Sequence, residues 1–208
     1  MPLDLWLAFV AASTALLLIP GPTVLLVLSY ALSKGRSVAL ASAAGVALGD
    51  LVAMSASLAG LGALVLASAT LFTALKWIGA AYLVWMGIKL LRSAPSEGLD
   101  ATPTREITTR GVFWHAAGVT ALNPKSIAFF IAFVPQFVTL NAPLLPQFVI
   151  LVATFVTLAA LNALAYALLA DRLRSTIRRP AVITWLTRSG GMALVAMGVM
   201  TATLRRSN

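Results

Sequence analysis

The stretch FVILVATFVTLAALNALAYALLA, residues 148–170, carries no charged side chain. A run of that length can cross hydrocarbon, which takes about 20 mostly apolar residues in a helix. Comparable runs recur at approximately 5–31, 38–66, 70–92, 111–139, 144–170 and 182–204. Of the 208 residues, 60% are hydrophobic and only 10% charged, where a soluble domain carries roughly 25% charged residues. Lipid is therefore the expected solvent. Each run is expected to be a helix, because lipid-exposed backbone must satisfy its own hydrogen bonds. A transmembrane barrel needs alternating segments of about 10 residues, and these runs do not alternate.

The formal net charge is +9. In a soluble protein that balance points to nucleic acid, but here the cations sit in short connections between apolar runs. Lys34 and Arg36 follow the first run, Arg92, Arg105 and Arg110 surround the third connection, and Arg172, Arg174, Arg178 and Arg179 follow the fifth run. The opposite connections carry none apart from Lys76, a little inside the third run, and the exception is the C-terminal pair Arg205 and Arg206. The positive-inside rule then places both termini outside, so orientation accounts for the charge and no nucleic-acid partner is expected. The first run lacks a positive leader and carries Asp4, so it reads as a retained span and not a signal peptide. Cysteine is absent, which removes disulfides and thiolate metal sites. Residues 93–110, SAPSEGLDATPTREITTR, read as a flexible cytoplasmic linker. It separates a first three-helix unit, 1–92, from a second, 111–208.

The two units resemble each other. GAAYLVWMG (79–87) in the third run matches GGMALVAMG (190–198) in the sixth, with Gly79, Leu83, Val84, Met86 and Gly87 opposite Gly190, Leu194, Val195, Met197 and Gly198. The first run is broken by PGP (20–22) and its counterpart, the fourth, by NPK (123–125). Asp50 in the second run corresponds to Asn162 in the fifth, each a lone strongly polar group among apolar residues. With three spans per unit the second enters from the opposite side. The fold expected is thus an all-α integral membrane protein of six transmembrane helices, built as two inverted-topology repeats. That architecture is common among secondary transporters, where interrupted segments at matching positions mark the binding site.

The breaks have a chemistry. Proline removes a backbone donor and frees a carbonyl one turn earlier. Pro20 and Pro22 bracket Gly21, which takes conformations other residues resist. Pro22 suits the first turn of a new half-helix, with the hydroxyl of Thr23 beside it. Asn123 can cap the second half-helix that Pro124 begins. Lys125 then puts an ammonium in its first turn, the wrong sign for the dipole. Half-helix N-termini favour a carboxylate. Asp50, the acid deepest in a span, borders a stripe of small residues (Ala41, Gly45, Gly49, Ala53, Ser57) suited to close helix packing. It is the candidate proton carrier or counter-ion, with Lys125 as its partner or as a carboxylate partner. Asn162 is a candidate for the same cavity. His115, Trp77, Tyr82, Trp85 and Trp114 read as interfacial or packing residues, and Gln136 as a vestibule residue or the end of the fourth span.

A secondary transporter with a carboxylate-binding site where the half-helices meet is the reading these features favour. A divalent-metal exporter would need clustered oxygen or nitrogen ligands, and an intramembrane aspartyl or zinc protease would need a second deep Asp or H-E-x-x-H. Lone Asp50 and a single His oppose both alternatives. No cofactor or bound metal is expected, and self-association is compatible with the pattern.

PGP in the first run, GVALGD in the second, LKWIGAAYLVWMGIKLLRS in the third and NPKSIAFFIAFVPQFV in the fourth resemble the LysE/RhtB family of bacterial amino-acid exporters. The resemblance covers nearly the whole chain, though after residue 140 it is one of hydropathy alone. It implies export of amino acids or their analogues across the inner membrane, driven by the proton gradient. The family's motif positions fall on Pro20, Gly21, Pro22, Asp50, Asn123, Pro124 and Lys125.

Overall fold

The computed structural model describes residues 1–19, 21–34, 36–92, 108–139, 142–177 and 180–203. Pro20 and the greater part of the linker, 93–107, lie outside the described residues. In chain order the helices are α1 (Leu3–Leu18), α2 (Pro22–Lys34), α3 (Arg36–Ala67), α4 (Ala69–Arg92), α5 (Thr109–Ala121), α6 (Pro124–Ala132), α7 (Leu144–Ile177) and α8 (Pro180–Thr203), with a 3-10 turn at Val134–Phe137 after α6. Among the described residues there is no strand.

Three helical stretches are long and apolar enough to cross a membrane: Val38–Ala63, Thr73–Arg92 and Leu144–Ala170. Two bent pairs bring the number to five if each pair is one span. Leu3–Leu18 and Pro22–Ala31 meet at 59°, and Thr109–Ala121 and Pro124–Phe137 at 44°. Sharp bends at proline are expected, since the ring removes a hydrogen bond and clashes with the preceding turn.

Packing follows the small residues. In lipid no hydrophobic difference drives helices together, so close approach and dispersion contacts carry the association. Gly45 of α3 lies against the Phe113 carbonyl of α5, and a Cβ on Gly49 would fall 2.6 Å from the Ala117 carbonyl oxygen. Helix α4 crosses α8 equally closely: a Cβ on Gly87 would fall 2.6 Å from the Gly191 carbonyl oxygen. Helix α7 lies along α1, α2 and α3. On the side of the breaks that holds α1 and α6, fully buried Phe9, Phe129, Phe130 and Phe155 form an aromatic cluster with Phe133 and Phe137. Its tightest edge contact, Phe130 on Phe155, has ring centroids 4.8 Å apart. Trp77, Trp85 and Trp114 point outward, each more than half exposed, while Tyr82 is half-buried. Gln136 is half-buried in the 3-10 turn.

Candidate functional site

The two breaks meet in the middle of the bundle. Helix α1 ends with Ile19 in extended conformation, its N–H donating to Leu16 O at 3.2 Å, and the carbonyls of a last helical turn draw further partners from outside the helix. Side chains from the other unit take all four. Lys125 Nζ donates to Leu16 O at 3.2 Å and to Ile19 O at 3.0 Å. Asn162 Nδ2 donates to Leu17 O at 3.1 Å, and the Tyr166 hydroxyl donates to Leu18 O at 3.4 Å. A cation at a helix C-terminus gains about 0.3–1 kcal/mol from the dipole, and up to about 2 kcal/mol where partly buried.

The second break is built differently. Asn123 caps α6, its side-chain oxygen accepting from Lys125 N at 3.1 Å, with Pro124 in the first turn. Its amide Nδ2 donates to Thr23 Oγ1 at 3.1 Å, and the Thr120 hydroxyl donates to the same oxygen at 3.4 Å. Thr23 thus ties the start of α2 to the α5–α6 junction. Gly21 serves by its size: its backbone is not in the left-handed region, and a Cβ there would lie 3.3 Å from Lys125 Nζ.

A cavity of about 30 Å³ lies between these groups. Gly21, Thr23, Asp50, Asn123, Lys125 and Asn162 all line it, with Tyr166 and Ser126 beside them. It has room for water but is far below the ~300–1,000 Å³ of a small-molecule pocket, so in this conformation it is too small to hold an amino acid. Asp50 is 2% exposed, and its Oδ1 has no hydrogen-bond partner. Among the described residues no group of three or more His, Cys, Asp or Glu could hold a metal ion.

Pro22 and Pro124 face elsewhere. With Asn123 they line a separate open groove of about 520 Å³ beside Trp114 and His115. His115 joins the two units on that side: its Nδ1 lies 2.7 Å from the Tyr30 hydroxyl. Tyr166 was not singled out from the sequence, where a tyrosine in an apolar helix reads as packing. The available signal was its spacing, four residues after Asn162 and so on the same helix face.

Lys125 also departs from expectation. The sequence places its ammonium at the N-terminus of α6, against the dipole. The side chain instead crosses to the C-terminus of α1, where the dipole favours it.

The sequence model of one protein family, LysE type translocator, matches residues 14–205. The chain belongs to the LysE type translocator family. Within it the chain is 36% identical over 207 residues to an uncharacterized membrane protein of Vibrio cholerae, covering 99% of this chain and 100% of that one. It is 33% identical over 208 residues, the full length of both, to the homoserine/homoserine lactone efflux protein of Salmonella typhimurium. An uncharacterized membrane protein of Pseudomonas aeruginosa is 32% identical over 212 residues, covering 96% of this chain and 95% of that one. No solved structure matches the chain. LysE type membership makes this a membrane transport protein, with an efflux protein for an amino acid and its lactone among its relatives.

Proposed function

We propose that the protein is an inner-membrane secondary exporter of amino acids or small amino-acid-like ammonium compounds, working by proton antiport. The observation that carries this reading is the cavity where two interrupted segments meet, lined by Gly21, Thr23, Asp50, Asn123, Lys125 and Asn162. Around it the C-terminal carbonyls of α1 oppose the N-terminal turns of α2 and α6. Helix C-termini and unwound carbonyls suit a cation, and half-helix N-termini suit a carboxylate. An amino acid presents both groups. Homoserine and its lactone, named for the Salmonella relative, share the amine and differ at the carboxyl group. The amine end is then the constant element of recognition, and Asp50 is its counter-ion or the proton carrier.

Alternating access is supported by the packing of the halves, which we read as inverted repeats of three spans each, 1–92 and 111–208, joined by the cytoplasmic linker 93–110. In this reading α8 is the sixth span and both termini lie outside. A Cβ on Gly87 would meet Gly191 O at 2.6 Å and Val195 Cγ2 at 2.7 Å, while one on Gly198 would meet Ala80 O at 2.8 Å and Val84 Cγ2 at 2.6 Å. The 111 residues that separate Gly87 from Gly198 also separate Ala80 from Gly191 and Val84 from Val195, so one contact is made twice. The two-fold relation is not exact. Gly79 of α4 packs on Ala132, beyond the second break, whereas Gly190 of α8 packs on Ile19, at the first. Two like halves that differ in some of their contacts suit a transporter whose repeats rock against each other.

The test is efflux from proteoliposomes loaded with homoserine under an imposed pH gradient. Asp50→Asn is expected to abolish gradient-driven efflux while the protein keeps its elution profile and helical content. Gradient-driven efflux that survives the substitution eliminates Asp50 as the coupling group.

A further inference from the structure

We infer that Lys125 is a tethered stand-in for the substrate's ammonium group: it fills the cation seat of the closed site and must be displaced for substrate to bind. This rests on the amine-export reading above and concerns how the same site is held when no substrate is in it.

The seat is defined by its partners. Lys125 Nζ is a primary ammonium, the same donor that an amino acid offers. It bridges Leu16 O at 3.2 Å and Ile19 O at 3.0 Å, and it presses on Gly21, where a Cβ would lie 3.3 Å away. The neighbouring carbonyls of Leu17 and Leu18 are taken by Asn162 and Tyr166, so a cation entering the row has one opening, the position Lys125 holds. Leu16 O also accepts from the Ile19 N–H, but a bare Ile19 carbonyl at a buried chain break is unfavourable, which gives the empty protein a reason to supply its own cation.

A displaced ammonium also has somewhere to go. Asp50 lines the same cavity, and its Oδ1 is buried without a partner. When a substrate ammonium takes the carbonyls, Lys125 moves to that oxygen, and neither charge is left alone.

The experiment is calorimetric titration of the full chain in lipid nanodiscs with methylammonium and with homoserine. The unaltered protein is expected to show no saturable methylammonium binding, because its seat is filled. Lys125→Ala is expected to gain it, and to bind homoserine tighter by at least about tenfold, the factor imposed by a seat that is self-occupied about nine-tenths of the time or more. Lys125→Ala without methylammonium binding, and with weakened homoserine binding, overturns the inference and makes Lys125 a direct ligand. Methylammonium binding gained with homoserine bound by neither protein upholds the seat and sinks the amino-acid reading. Solid-state NMR of the unaltered protein guards against a variant that fails to fold. The Lys125 Nζ to Ile19 carbonyl contact is expected to disappear at saturating homoserine, and its persistence overturns the displacement.

Discussion

Alanine at Gly87 or Gly198 offers a quantitative test of the α4–α8 crossing. A new Cβ at Gly87 would stand 2.6 Å from the Gly191 carbonyl oxygen, and one at Gly198 2.8 Å from the Ala80 carbonyl oxygen. Both distances are shorter than real Cβ contacts tolerate. The obstacle is backbone, which cannot swing aside as a side-chain tip can, so the helices must separate. Overpacking of this kind typically costs about 1–3 kcal/mol. Gly60 on α3 is the control, since nothing lies within 4 Å of its Cβ position. There alanine removes only glycine's excess backbone freedom and should stabilise by about 0.5–1 kcal/mol. The assay is equilibrium unfolding in mixed micelles of dodecyl maltoside and sodium dodecyl sulfate, read by near-ultraviolet circular dichroism. Gly87→Ala and Gly198→Ala should each lose stability. The double variant should lose less than the sum, because one separation of the helices relieves both clashes. Gly87→Ala as stable as Gly60→Ala would refute the close crossing. A cost at one glycine and none at the other would refute the paired contact.

Two other substitutions probe the elements that hold the site. Phe155→Ala removes a fully buried ring that sits 4.8 Å from Phe130 and 6.0 Å from Phe129, and should lower stability in the same unfolding assay by about 3–5 kcal/mol. Asn162→Ala takes away the donor to Leu17 O and should cost about 0.6–2 kcal/mol, with slower homoserine efflux at unchanged protein level; efflux equal to that of the unaltered protein would remove Asn162 from the site.

Long uncharged runs made the helical character readable, because a bilayer leaves backbone no other way to satisfy its polar groups. The interruptions were readable for a local reason, proline's missing donor at Pro22 and Pro124. The meeting of Asp50, Asn162 and Lys125 around one cavity followed from a cost argument, that polar groups in apolar helices are tolerated where they face each other or a cavity. Other features had no such local cause. Pro22 and Pro124 break their helices yet face an outer groove, since what ends a helix need not line what the ending exposes. Tyr166 reaches Leu18 O only because α7 runs along the end of α1. The destination of Lys125 depends on backbone carbonyls of α1, which no side-chain pattern announces.

That destination also explains how a lysine can stand in the first turn of α6. Read along one helix, its charge opposes the dipole at the position where it is attached. Read across the bundle, the same side chain spans from the positive end of one half-helix to the negative end of another, and its ammonium comes to rest where the dipole is favourable. Thr23 and Ser126, in the N-terminal turns of α2 and α6, lie on the wall of the same cavity. The head group occupies the opposite pole. Under the proposed displacement the carbonyls of α1 hold an ammonium whether the site is empty or loaded, Lys125's own or that of the cargo, and Asp50 receives Lys125 only when cargo is bound. The empty site leaves the Asp50 oxygen without a hydrogen-bond partner, and in that proposal the arrival of cargo supplies one by sending Lys125 to it.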